Sequence, residues 1–105
     1  MTQEELDTYK ARYLLDVLTF EEYRSMGIDN FRRYAKEHVV PIPKEELVVG
    51  QEYPGHCRNA NKATWDGEVF HYKGYECGFW VDETIRHFED DAEDGIDVFV
   101  PVKEV

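Results

Sequence analysis

The sequence predicts an α+β domain in which two to three N-terminal helices pack on a small, strongly curved antiparallel β-sheet. Apolar residues recur at helical spacing within the first forty positions. Short alternating runs broken by Gly, Pro, Asn and Asp fill the remainder. Between two of them, Thr64-Trp65 and Glu68-Val69 flank Asp66-Gly67, the pair that most strongly signals a two-residue hairpin because both of its turn positions take positive φ. At 105 residues the chain has the length of one domain with one modest core, divided into a helical part, 1–43, and a β-rich acidic part, 44–105.

Thr2 can cap a helix opening Gln3-Glu4-Glu5, with Glu5 completing a capping box. Leu6, Tyr9 or Lys10, Tyr13, Leu14, Val17 and Leu18 then form one apolar stripe, so the first helix is expected over about 3–18. Thr19-Phe20-Glu21-Glu22 repeats the signature and opens a short second helix that stops near Met26-Gly27. Asp29 or Asn30 is expected to cap a third, with Phe31, Ala35 and His38 or Val39 on one face. Val39-Val40-Pro41-Ile42-Pro43 ends it, because a residue before proline avoids the α region.

In the second part, Tyr53-Pro54-Gly55 reads as a turn and His56-Cys57-Arg58 as a short strand. The hairpin should pair Trp65 with Glu68, Thr64 with Val69 and Ala63 with Phe70, placing Ala63, Trp65, Phe70 and Tyr72 on one core-facing side. Phe79-Trp80-Val81 is a further strand, and periodicity leaves 82–88 undecided between a helical turn and extended chain. Residues 97–102 alternate, and Pro101 suggests that this last strand is an edge. Short strands behind turns make a curved sheet, an SH3-like arrangement being one that satisfies the pattern.

The formal charge is −11. Eight acids face six bases through residue 40, and fifteen face six afterwards, so the acidity belongs to the second part. A field of that sign attracts basic surfaces and repels phosphate backbones, so a basic protein partner is expected and direct nucleic-acid binding is disfavoured. Two cysteines, Cys57 and Cys77, no secretory h-region and no apolar run of membrane length give the expectation of a cytoplasmic protein with reduced thiols, away from membranes.

Candidate sites follow from this charge and from the aromatics. The partner-binding candidates are Glu89, Asp90, Asp91, Glu93 and Asp94, supported by Asp82 and Glu83, which would mimic phosphate spacing or steer association. An alternative is a small-molecule or nucleotide pocket at Arg58, Asn59 and Asn61 with Trp65 and Tyr72, amides orienting, a guanidinium holding an anion and rings stacking. Tyr75 and Trp80 lie nearby in sequence, and a core role for the rings competes with that pocket.

No catalytic residue, metal or cofactor is expected. An EF-hand register that puts Gly95 sixth places Ala92 third and Pro101 twelfth, where oxygen ligands are required. His56, Cys57, His71, Cys77 and His87 lack the paired spacing of a structural zinc site. Cys57 with His71 or His56 could form a nucleophile and base, with Asp66 orienting a histidine, but nothing beyond Arg58 would lower the thiol pKa. No phosphate loop or nucleophile elbow is present.

Leu18-Thr19-Phe20-Glu21-Glu22 through Gly27-Ile28-Asp29-Asn30-Phe31-Arg32-Arg33-Tyr34 resembles the start of phage excisionase-type winged helices, which implies a DNA-binding accessory protein. Cys57-Arg58-Asn59-Ala60, Trp65-Asp66-Gly67, His87 through Asp91 and Asp97-Val98-Phe99-Val100-Pro101 resemble small uncharacterised phage and prophage proteins. That likeness implies a phage setting in a bacterial host cell, and no activity. The combined expectation is a non-enzymatic acidic interaction protein that binds, and inhibits, a basic host protein such as a nucleic-acid-handling or defence enzyme.

Overall fold

The computed structural model describes residues 2–57, 60–90 and 97–104. Three helices, α1 (Gln3–Val17), α2 (Phe20–Met26) and α3 (Ile28–His38), precede six strands: β1 (Val39–Pro41), β2 (Glu52–His56), β3 (Lys62–Trp65), β4 (Phe70–Glu76), β5 (Phe79–His87) and β6 (Val98–Glu104). One-turn 3-10 helices occupy Lys44–Glu46 and Phe88–Asp90. Among the described residues no helix is long and apolar enough to cross a membrane.

The caps set the helices. Thr2 Oγ1 accepts from the Glu5 N–H at 3.1 Å. Thr19 Oγ1 accepts from the Glu22 N–H at 3.2 Å while its hydroxyl donates to the Glu22 carboxylate. The third cap is a correction: α3 starts at Ile28, behind Gly27 at φ +80°, and Asn30 instead donates back to the Met26 carbonyl. A glycine there turns the chain between α2 and α3 without the strain a side chain would add.

The strands form one mixed sheet in the order β1-β6-β2-β3-β4-β5, with β5 also pairing β6. The β2–β5 meander therefore closes on β6, which supplies the strong curvature expected. The sheet is not wholly antiparallel, because β5 and β6 run parallel through Arg86↔Val98 and His87↔Phe99. An odd number of strands accounts for this: five strands closed in a ring, four of whose junctions are antiparallel, leave the fifth junction parallel.

Two further expectations are corrected and one open alternative is decided. Tyr53-Pro54-Gly55 lies inside β2, which pairs β3 over Glu52–Pro54 and then changes partner to β6 at Gly55. Segment 82–87 is extended, within β5. The last strand is no edge, since β6 has β1, β2 and β5 as neighbours and Pro101 is buried. Pro101 is accommodated there opposite Gly55, and its carbonyl accepts from the Ile42 N–H at 2.8 Å.

β6 also separates two cores. Phe99 points into the sheet's interior with Tyr53, Ala63, Trp65, Phe70 and Ile85. Val100 and Val102 point the other way, against Tyr13, Leu14, Phe31 and Ala35 of the helices and Val39 of β1. Burial of both faces explains why this strand is apolar almost throughout.

Gly55 lets the backbones meet. A Cβ there would lie 2.2 Å from the Val100 carbonyl oxygen and 2.8 Å from the Phe99 ring. Gly55→Ala should therefore cost about 3 kcal/mol or more in denaturant unfolding, the upper range of overpacking. A cost under about 1 kcal/mol would show that the contact yields easily.

His87, fully buried, ties three segments together. Its Nδ1 accepts from the Glu89 N–H at 3.1 Å, so Nε2 carries the proton and donates to the Ile42 carbonyl at 2.9 Å. Burial holds this imidazole below its usual 6.5. The neutral ring thus contributes its full stability above about pH 6.5, and that contribution is lost as the pH falls and the unfolded chain takes up the proton first. Denaturation midpoints should drop between pH 7 and 5, with a shallower drop in His87→Gln; identical slopes would assign the titration to another group.

Candidate functional site

The tight hairpin of this chain is not at Asp66-Gly67. Trp65 pairs with Phe70 and Thr64 with His71, leaving a four-residue loop over 66–69. Asp66 caps that loop with its side chain, accepting from the Glu68 and Val69 N–H groups at 2.7 and 2.8 Å. Among the described residues, Cys77 alone among non-glycines has positive φ, so Asp66 does not enter the left-handed region that a primed turn requires. The shift from the expected register is two residues, an even number, so Ala63, Trp65 and Phe70 still face inward.

The two-residue turn is Cys77-Gly78, at φ +50° and +93°, joining β4 to β5 with Glu76 opposite Phe79. Beyond the last β3 neighbour at His71 and the first β6 neighbour at Arg86, the two strands continue as a ribbon paired only with itself among the described residues. Side chains alternate along it. Tyr75 and Trp80 stand opposite each other on the outer face, ring centroids 5.2 Å apart in an edge-on arrangement. Phe79 is on the other face. Tyr75, Phe79 and Trp80 are 63%, 61% and 68% exposed, so these rings do not fill the core. They were legible once the turn was placed, because Gly at the second turn position fixes the pairing of 75 with 80.

Carboxylates flank the rings. Glu83 lies over Gly74, where a Cβ would come within 2.9 Å of its carboxyl carbon, and accepts from the Tyr72 hydroxyl at 2.7 Å. The hydrogen bond to Glu83 and its negative charge hold the Glu76 carboxyl above the usual range. The same bond, with that from Tyr72, holds Glu83 below it. Asp82, on the outer face, pairs with Lys73 at 2.5 Å, which keeps its carboxyl low.

The expected acidic site is thereby divided. Asp82 and Glu83 belong to the ribbon, whereas Glu89 and Asp90 lie past the end of β5, about 16 Å or more farther along the chain. There Glu89 accepts from the Lys44 N–H at 2.9 Å and Asp90 forms an ion pair with the Lys44 ammonium, so both fasten the linker after β1. Asp91, Glu93 and Asp94 lie outside the described residues.

Of the alternative pocket, Arg58 and Asn59 also lie outside them. Trp65 is only 3% exposed, packed on Phe70 and His87, and is core rather than a ligand platform. Asn61 and Tyr72 do converge, on a shallow groove of about 520 Å³ shared with Thr64, His71, Lys73 and Trp80. Asp66 orients His71 at 2.5 Å, and its two backbone donors with that imidazole hold its carboxyl down to about 2. Cys57 is buried, while His71 is on the exposed face. No group of three or more His, Cys, Asp or Glu side chains is gathered for a metal among the described residues.

Arg32, Arg33 and Lys36 are exposed on α3. Tyr23 packs edge-on against Phe31, ring centroids 5.1 Å apart. Comparison with protein-family models, curated proteins and solved structures gives no match.

Removing Glu83 should release its neighbour. In Glu83→Ala the Glu76 carboxyl should titrate lower, back in the ordinary carboxylate range, when followed by carbon-13 NMR. An unmoved Glu76 would separate the two groups in solution.

Proposed function

We propose that this chain is a non-enzymatic acidic interaction protein that docks a basic segment of another protein on the β4–β5 ribbon. The observation that carries the reading is the trio Tyr75, Phe79 and Trp80, more than half exposed at the end of a ribbon that among the described residues pairs only with itself. Large rings left in water cost solvation that a partner recovers, and Trp and Tyr are the residues on which interface energy concentrates. Their faces also accept Lys and Arg by cation–π attraction. Asp82, Glu76 and Glu83 add carboxylates beside them, within a protein of charge −11.

A second copy of so acidic a chain would be repelled, so the partner is basic. Proteins that handle nucleic acids carry surfaces suited to rows of anions, and in the phage setting that the sequence resemblance implies, such a host protein would be blocked by this one. The groove at Asn61, His71, Lys73 and Trp80 favours a second reading, a small-molecule or nucleotide ligand stacked on Trp80.

The deciding experiment is affinity purification of tagged chain from a bacterial lysate at moderate salt, beside the triple variant Tyr75→Ser, Phe79→Ser, Trp80→Ser. The parent should retain a stoichiometric basic protein, and the variant should lose it by at least about tenfold in affinity while melting as the parent does. Association should slow as salt rises. Equal retention by the variant overturns the ribbon as the surface, and a chain recovered alone with a small bound mass favours the ligand reading.

A further inference from the structure

A second depression among the described residues differs in chemistry from the ribbon. It is a trough of about 800 Å³ between α1 and α3, whose apolar lining is Ala11, Leu15, Tyr23, Ile28 and Phe31. Helix packing sends Tyr13 and Leu14 of α1 and Phe31 and Ala35 of α3 into the core beside β6. Leu15 and Ile28, on the flanks, remain 47% and 55% exposed. The small Ala11 side chain between Glu4 and Leu15 keeps the trough open along about 16 Å of α1, three helical turns.

Its rim has the opposite charge from the rest of the protein. Arg12, Arg32, Arg33 and Lys36 line it, against Glu4 and Asp7. None of those four cations is in an ion pair with a described residue. In a chain of charge −11, four cations without an ion pair to a described residue, gathered around exposed aliphatic side chains, call for an acidic and apolar occupant.

We infer that the α1–α3 trough is a docking groove for an acidic amphipathic helix of a partner protein, with Leu15 and Ile28 receiving its apolar stripe and Arg12, Arg32, Arg33 and Lys36 its carboxylates. An apolar face laid in such a groove is read through anchors at i, i+3 or i+4, and i+7, which three turns accommodate. The apolar lining, which a phosphate backbone would leave uncovered, argues for this occupant over nucleic acid. The groove is independent of the ribbon, and neither reading needs the other.

The test uses the full chain and a display library of 16-residue peptides with Leu or Ile at i, i+3 and i+7 and random Asp, Glu, Lys, Arg, Ser or Gln elsewhere. Selected peptides should be net acidic. Their affinity should fall at least about tenfold in Arg32→Glu with Arg33→Glu, and to a similar extent in Leu15→Ser with Ile28→Ser, circular dichroism confirming the parent's helicity in both. Enrichment of basic or neutral peptides, no enrichment over the Leu15→Ser, Ile28→Ser chain, or binders indifferent to the substitutions would each overturn the inference. So would tight binding of a 20-base-pair DNA duplex abolished by the Arg32 and Arg33 reversal, which would assign the cations to nucleic acid.

Discussion

Everything in this fold hangs on β6 being buried on both faces. Its alternating side chains serve two different cores, Phe99 the interior of the sheet and Val100 with Val102 the layer beneath the helices. Its edges serve three different strands. The helices therefore do not pack on a finished sheet as on a platform; they complete the burial of a strand whose other face is already committed. The absence of a side chain at Gly55 is part of the same constraint, because β2 approaches β6 closely where it changes partner.

Closing the ring also decides what is left outside it. β5 meets β6 at Arg86 and His87, and β4 meets β3 at Phe70 and His71, so the remainder of both strands is surplus to the closure. A two-stranded ribbon alone is marginal in water. Here it is held by the Cys77-Gly78 turn, by Glu83 seated over Gly74 and by the Lys73–Asp82 pair. Those local devices free its rings from any structural duty. On the helical side the surplus is of another kind, cations around an apolar trough, so the two surfaces differ in chemistry as well as in scaffold.

The helices were legible in the sequence because their signals are local: Thr2 and Thr19 cap as their spacing from Glu5 and Glu22 implies. The sheet was legible only in part. Asp66-Gly67 looks like a two-residue turn, yet the Asp66 carboxylate has a stronger option in two backbone N–H groups, and the loop lengthens to provide them. Cys77-Gly78 escaped notice because cysteine rarely takes a left-handed conformation. Pro101 read as an edge marker because nothing local shows that its partner is a glycine. The exposure of Trp80 and the burial of Trp65 depend on where the ring closes, a long-range fact. The role of Glu89 and Asp90 in holding the linker is long-range for the same reason: Lys44, their partner, lies 45 and 46 positions away.

The chain order of the contacts has a kinetic meaning. β1 pairs with β6 across more than sixty residues, Val39 meeting Glu104, and β2 meets β6 across more than forty. Neither core can close until the last strand is available. During synthesis the three helices emerge with Val39 and the inner faces of Leu14 and Phe31 still uncovered, and the meander emerges with Phe70 bare. Non-local pairing of this kind folds slowly, since loop closure precedes any return in burial. Until β6 arrives these apolar faces stay uncovered, and a net charge of −11 disfavours association between like chains.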